Sequence, residues 1–596
     1  MTELTQPSPL PHRWFAALVA VGILINATGL FPPIMEPDGA LYACIAKTMA
    51  QSNDFVNLYA VGTDWLDKPH FPFWMVALSF KLFGINTFAY KLPALLFFLM
   101  GVWYTYRFAR LLYPKVVAQV AVLVLLTAFH GVLSNADVRA EPYLMGLIIG
   151  AVYHFWRLTP PQPLPLKKGE GLKPCRPVSP SPFFKGRGWG GVDLLLGSFL
   201  TGCALMTKGV FVLVPIGAGL VLHWLLTGQW RELLKPRWYV AVVLSFVFTL
   251  PEVYCLYQQF NLHPEKIVFG KTGVSGIKFF FWDSQFGRFF NTGPIKGEGD
   301  KLFFVHTTLW AFLPWSLPLY AGVGKAVMQL FRRFTGKSHQ PLPEYVSLGS
   351  GLATFALFSL SGFQLPHYMN IVFPFFAILT AQFLVGLSPK NLRRWTVGQS
   401  VIAGLLVVLT VGLILVVRPA GMSLAIGWVA VVSLLTLMLF RQADLSTLTG
   451  RLTGAMAVFF GILNLFLYPA FLQYQAGMTA ARYVNEQPDL VQQPVWLYLP
   501  GTGVGGGSFW SYEFYATGPT AYVRSDSALR QRLQRGPIMV FTEGVYADSL
   551  VSRGFGLRRL AAFPFFHVST LTGDFLNPDT RPKTLEPYVL AEVSPR

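Results

Sequence analysis

Apolar runs recur along this chain at lengths that match the thickness of a lipid bilayer, and this restricts the fold more than any single motif does. Trp14 to Phe31, Val116 to Leu133, Val401 to Val417 and Leu452 to Phe471 are each long enough to cross a hydrocarbon core of roughly 30 Å as a helix. Helix is the form lipid demands of such segments, because unpaired backbone groups find no water there. The residues are 53% hydrophobic and only 13% charged, more apolar sequence than a soluble core of 596 residues could bury.

Read against their flanks, the runs predict spans near 14–31, 88–112, 115–133, 142–158, 192–207, 209–227, 238–257, 302–322, 346–361, 367–386, 397–417, 422–440 and 452–473. The run Phe71 to Phe83 is short for a span and follows Lys68-Pro69, so it is expected to lie in the interface as an in-plane or re-entrant helix. Charge supports that choice. With the N-terminus inside, the basic clusters Arg107/Arg110/Lys115, Arg231/Lys235/Arg237, Arg332/Arg333/Lys337 and Lys390/Arg393/Arg394 all fall on the cytoplasmic side, and counting 71–83 as a span would invert them. The outside loop 258–301 departs from the rule with Lys266, Lys271, Lys278, Arg288, Lys296 and Lys301; either a long loop tolerates the charge or an anionic ligand is bound nearby.

His12-Arg13 followed by an apolar run resembles a secretory signal, but Phe31-Pro32-Pro33 stands where a small-residue cleavage site would be, so an uncleaved signal anchor is expected. The cytoplasmic loop 159–191, rich in Pro, Gly and Lys without periodicity, is expected to be disordered. After Phe471 the hydropathy drops. Val495 to Leu499 and Ile538 to Phe541 read as buried strands separated by a helical Ser527 to Arg535. The expectation is a mainly α polytopic membrane protein with about thirteen transmembrane helices in residues 1–474, in-plane helices in the first outside loop 32–87, and a small extracytoplasmic α/β domain in 475–596.

The formal charge of +19 does not point to nucleic acid, because the basic residues are scattered between apolar spans instead of forming one stripe. Cys44, Cys175, Cys203 and Cys255 show neither zinc-site nor disulfide spacing. Gly501 to Gly507 lacks the Lys-Ser/Thr of a nucleotide-binding loop and reads as a flexible turn. Asp67 could join His263 or His306 around a divalent ion, but no ligand spacing supports this, and no metal or other cofactor is expected to be required.

The outside face gathers the polar residues hardest to explain structurally: Glu36 and Asp38 beyond the first span, Asp64, Asp67 and Lys68 before the short apolar run, then Asp137, Arg139 and Glu141, then Lys208, and Gln364, His367 and Tyr368. Any one alone could be a snorkelling side chain. Opposite charges converging on one face from several loops are what a catalytic site needs: a base, a charge clamp and a cavity. A transporter would place its charges at the midplane instead, and Glu252 is the one carboxylate inside the seventh span.

Glu36-Pro37-Asp38-Gly39-Ala40-Leu41-Tyr42 followed by Asp67-Lys68-Pro69-His70-Phe71-Pro72-Phe73-Trp74 resembles the first outside loop of the aminoarabinose transferase family, relatives of the protein O-mannosyltransferases among the C-type glycosyltransferases. Met206-Thr207-Lys208-Gly209, Phe286-Gly287-Arg288-Phe289 and Ser361 to Tyr368 resemble three further segments of that family, in the same order. Two departures stand out. The first loop keeps one carboxylate, Asp38, of a pair common in the family, and Gln364 replaces a lysine. The second acidic position then falls to Asp137 or Glu141, with Glu141 favoured by its register on the following span.

The resemblance implies transfer of a sugar from a polyprenyl-phosphate donor to an acceptor hydroxyl on lipid A, another glycolipid, a polysaccharide precursor or a protein, with inversion. Asp38 would be the general base, the alternative being that it merely caps the helix after it. Lys68, Arg288 and Tyr368 would hold the leaving phosphate, with Asp67, Lys208, His367 and Gln364 as further substrate-binding candidates. The implied setting is the inner membrane, with the N-terminus cytoplasmic and the C-terminal domain periplasmic. The competing functions are a flippase or transporter of a lipid-linked sugar, and a membrane scaffold.

Overall fold

The computed structural model describes residues 9–159, 189–335, 343–500 and 507–595. Most of the loop 159–191, Cys175, and the glycine-rich stretch up to residue 506 lie outside the described residues. Each apolar run singled out from sequence is a helix or a pair of helices. Among the described residues, seven helices are long and apolar enough to cross a membrane, and an eighth span results if a bent pair is counted as one. The helices His12–Thr28, Val210–Leu226 and Val346–Ser359 are apolar but shorter, so the fold does not establish a count of thirteen. Phe71–Phe83 is likewise short, about 20 Å at the helical rise, which falls below the bilayer core.

Lipid exposure is legible in the outward faces. Pro389–Val417 and Met422–Leu439 are among the most apolar helices yet mostly unburied, and Leu424 is 74% exposed. So continuous an apolar surface is unfavourable against water and ordinary against lipid. Inner helices pack closely instead. Thr87–Leu112 and Glu141–Leu158 cross at Gly101 and Gly146, where a Cβ on Gly146 would stand 2.2 Å from the Phe97 carbonyl oxygen. Small residues let helix backbones approach in this way where no water drives association.

Two broken helices face one another and set the height of the polar residues. Lys115–Thr127 and Phe129–Ala136 meet at a 50° bend, with Ala128 extended between them. A backbone bond joins the bend to the partner break between Phe303–Ala311 and Ser316–Phe334, Phe129 N donating to Leu313 O at 2.8 Å, and a side-chain bond from Trp315 Nε1 to Thr127 Oγ1 at 2.9 Å reinforces it. Bonding of this kind is what permits irregular backbone at such depth. The bend delivers Asp137, Arg139 and Glu141 to the end of the bundle.

The C-terminal unit is a five-stranded sheet in the order Thr520–Val523, Val495–Tyr498, Ile538–Glu543, Glu586–Pro595, Phe555–Phe565. The first three strands are parallel and the last two antiparallel. Both strands read from sequence are present, as is the helix Asp526–Leu533 between them.

Buried polar contacts dock this unit on the first loop. Lys47 Nζ donates to the carbonyls of Glu513, Phe514 and Ala516 at 2.6, 3.1 and 2.6 Å, capping the end of Gly507–Tyr515. Gln475 takes the Glu36 N–H at 2.7 Å and donates to Ile34 O at 2.9 Å. The Glu36 carboxyl accepts from Ser508 and Ser511.

Burial pushes the Glu36 carboxyl up to about 7, while the hydrogen bonds from Ser511 and Ser508 work against the rise. A carboxyl that holds its proton more tightly folded than unfolded stabilises the fold below its unfolded value of 4.5, and that contribution is lost as pH rises through about 7. Wild-type protein in detergent is therefore expected to melt lower at about pH 8 than at about pH 5, and Glu36→Gln to flatten this slope. Melting curves at the two pH values check it; an unchanged slope in the variant rules out Glu36 as its source.

Candidate active site

Helix Asp38–Ser52 begins with Asp38 in its first turn, and the capping position is Pro37. The Asp38 carboxylate is thus not spent as a cap. Its Oδ2 meets Arg139 Nη1 at 2.7 Å, and the same guanidinium reaches Asp137 Oδ2 at 3.2 Å. The Asp38 side chain keeps 41% of its surface open, and it lines a small cavity.

The segment leading to Asp67 and Lys68 is held from below by the helical run Pro236–Asn261. Gln259 exchanges hydrogen bonds with both backbone groups of Leu58 at 2.9 Å, and Glu252 takes the backbone N–H and the ring of His70. Between these fixed points Asp67 enters the cavity with two cations on it. Lys68 Nζ lies 2.6 Å from Oδ2, and Arg288, on the short helix Phe286–Phe289, binds Oδ1. Burial works against the charge on Asp67, but Lys68 and Arg288 beside it hold its carboxyl below the usual carboxylate range. Burial lowers the Lys68 ammonium and Asp67 opposes that fall, while the Arg288 charge adds to it. Arg288 Nε is buried and lacks a partner among the described residues, an orphan donor beside the cavity.

A second charged pair lines the same cavity. Glu141 opens Glu141–Leu158 and binds Lys208, the last residue of Trp189–Lys208. The chain must turn sharply there: Gly209 has φ +91°, and a Cβ on it would stand 2.3 Å from Gln285 Nε2, whose amide donates to Lys208 O at 3.1 Å. Lys208 Nζ sits 3.9 Å above the Tyr368 ring, a cation held on an aromatic face. His367 Nε2 is 3.8 Å from Glu141 Oε1, and Glu141 Oε2 is buried without a partner among the described residues.

Asp38, Asp67, Lys68, Glu141, Lys208, Arg288, His367 and Tyr368, all singled out from sequence, therefore line one cavity. Asp137 and Gln364 do not. Asp137 backs Arg139, and the Gln364 amide is turned to backbone, accepting from Asp300 N at 2.9 Å and donating to Phe358 O at 3.1 Å. The partnership of Asp67 with His263 or His306, disfavoured in the sequence for want of ligand spacing, is not formed either: those rings face Glu265 at 2.9 Å and Asp300 at 3.6 Å. Among the described residues no three His, Cys, Asp or Glu side chains gather as a ligand set. Arg139, Tyr42 and Gln285 also line the cavity and were not among the sequence-derived site residues. Tyr42 had a signal, standing four residues after Asp38 on the same helix face; Gln285, in an irregular loop, had none.

Comparison with known proteins follows the same lines. The family profile described as dolichyl-phosphate-mannose-protein mannosyltransferase matches residues 67–162, which include Asp67, Lys68, Arg139 and Glu141. A protein of Edwardsiella ictaluri named undecaprenyl phosphate-alpha-4-amino-4-deoxy-L-arabinose arabinosyl transferase is 28% identical over 69% of this chain and 66% of its own length. A protein of the same name from Pseudomonas paraeruginosa is 25% identical over 60% of this chain and 57% of its own. The match thus spans less than two thirds of each of these relatives. Among solved structures, ArnT from Cupriavidus metallidurans, crystallised bound to undecaprenyl phosphate, superimposes with a TM-score of 0.71 over 98% of both chains at 18% identity.

The chain is similar in sequence to the aminoarabinose transferases and shares the fold of one of them. The fold agrees over nearly the whole chain, whereas the sequence likeness covers less. The apolar helices, together with this likeness, make it an integral membrane protein.

The Glu141–Lys208 pair of this aminoarabinose-transferase-like chain can be tested directly. The Glu141 side chain is 2% exposed, so Lys208→Met leaves a carboxylate buried without its cation, at a cost of about 3 kcal/mol. The double variant Glu141→Gln/Lys208→Met is expected to recover most of that loss. Denaturant unfolding of the four proteins in one detergent measures the coupling, and additive losses would dismiss it.

Proposed function

We propose that this chain is an integral-membrane glycosyltransferase that moves a sugar from a polyprenyl-phosphate donor to an acceptor hydroxyl at the extracytoplasmic face. The observation that carries the reading is the make-up of one cavity: cations and a phenol line it together with a carboxylate, Asp38, that stays open. Lys68, Arg288 with its orphan Nε, Lys208 and Tyr368 suit a phosphate, and Asp38 suits a hydroxyl. The donor class comes from the relatives' names and from the ligand of the structural neighbour. The acceptor is a glycolipid such as lipid A, or a protein hydroxyl. Membrane lipids surround the spans. The distribution of basic clusters favours a cytoplasmic N-terminus and a C-terminal sheet on the outer side.

In the reaction the acceptor oxygen attacks the anomeric carbon as the bond from that carbon to the phosphate oxygen breaks. The phosphate leaves with the electron pair, and the hydroxyl proton passes to Asp38. A single displacement inverts the anomeric centre. Arg139 occupies Asp38 Oδ2 and so orients the carboxylate, leaving Oδ1 for the acceptor. The cations need no rearrangement as charge develops on the leaving group, because Asp67 already holds Lys68 and Arg288 in place.

Asp38→Asn is expected to lower kcat by roughly 10²-fold or more, the usual contribution of a general base, with expression intact. Purified protein supplied with a labelled polyprenyl-phosphate sugar and an acceptor measures it; retained turnover removes Asp38 from the mechanism. Movement of the lipid across the bilayer without transfer would make the chain a flippase, and neither activity would leave a scaffold.

Lys68→Ala and Arg288→Ala are each expected to raise the donor KM about tenfold, as loss of a charge-assisted contact does. An unchanged KM in both would place the phosphate elsewhere.

A further inference from the structure

Glu252 is the only acidic residue in the helical run Pro236–Asn261, and both it and His70 are wholly buried. Its Oε2 accepts the His70 backbone N–H at 2.9 Å, and its Oε1 faces His70 Nδ1 at 3.0 Å. The far ring nitrogen, Nε2, lies 2.9 Å from the Val56 carbonyl. A carbonyl only accepts, so Nε2 carries a proton. Nδ1 and Oε1 must then share one further proton, held either as an imidazolium beside a carboxylate or as a neutral ring beside a carboxylic acid. The pair has no net charge in either form.

Two consequences follow from where the pair sits. His70 stands two residues after Lys68, so three hydrogen bonds anchor the backbone immediately beyond the Asp67-Lys68 clamp. Glu252 also belongs to the cavity wall, where a lone carboxylate would repel an arriving phosphate and the neutral pair does not. One face of the same helical run, seven residues on, presents Gln259 to Leu58 and to Asp64 at 2.9 Å. The run thus grips the loop at both ends of the stretch that carries the clamp.

We infer that Glu252 is a positioning residue: through its one-proton pair with His70 it sets Lys68 and Asp67 to receive the donor phosphate while adding no negative charge to the site. This inference rests on the proposed donor chemistry and goes beyond it by giving a wholly buried pair a role in donor affinity.

The test uses the purified full chain in detergent, undecaprenyl phosphate as the probe in a calorimetric titration, and transfer kinetics alongside. Glu252→Gln preserves the geometry, its carboxamide oxygen accepting the His70 N–H and its nitrogen donating to Nδ1 of the neutral ring. Its affinity is expected to stay within about threefold of wild type. Glu252→Leu orphans a buried donor, and is expected to weaken binding and raise the donor KM roughly tenfold, with kcat at saturating donor changed far less. His70→Ala is expected to act in the same direction and serves if the leucine variant does not fold.

Wild-type affinity in Glu252→Leu or His70→Ala overturns the inference. Glu252→Gln as impaired as Glu252→Leu overturns it too, because the charge and not the placement would then be what matters. Failure of the wild-type protein to bind undecaprenyl phosphate at all would instead sink the proposed donor.

Discussion

The site depends on Asp67 holding two cations at once. Lys68 follows it in sequence, whereas Arg288 comes from a loop more than two hundred residues later, so this one carboxylate ties the first loop to the loop 258–301. Without it, two buried cations would face each other across a small cavity and repel. With it they are brought together, oriented and partly neutralised, while Arg288 retains an unused donor. Preorganised charge of this kind is worth most where water is scarce, because it needs no reorientation when a ligand arrives.

The irregular parts of the membrane domain serve that same place. The break at Ala128 and the break before Trp315 are joined by a backbone bond and a side-chain bond, and the chain that leaves the first break carries Arg139 and Glu141 to the cavity. The C-terminal sheet contributes none of the lining residues. It grips the first loop through Lys47, Glu36 and Gln475, and so steadies the helix whose first residue is Asp38. The C-terminal unit therefore acts on the site through the support of one helix.

Much of this arrangement was legible in the residues, and the exceptions are instructive. Asp38 can be read from sequence as a helix cap or as a free carboxylate, and Pro37 in the capping position, together with the position of Arg139, separates the two. Asp137 and Glu141 lie four residues apart around a helix start, and in the sequence only register on the following span favours Glu141. The turn at Asp137 sends one behind Arg139 and the other into the cavity beside Lys208. Gln364 aligned with a family position yet spends its amide on backbone. His70 and Glu252 are separated by 182 residues, and no local pattern announces their contact.

The sequence by itself determined the class of fold and the location of its helices, because hydrophobic length and backbone hydrogen bonding in lipid are local requirements that each segment meets alone. It also determined which polar residues needed an explanation, since charge beside an apolar span is costly wherever it occurs. Only the tertiary structure decided which of them pair and which stay open. A carboxylate may cap a helix, bind a guanidinium or face a ligand at similar local cost, and the choice is made by what distant segments bring within about 3 Å.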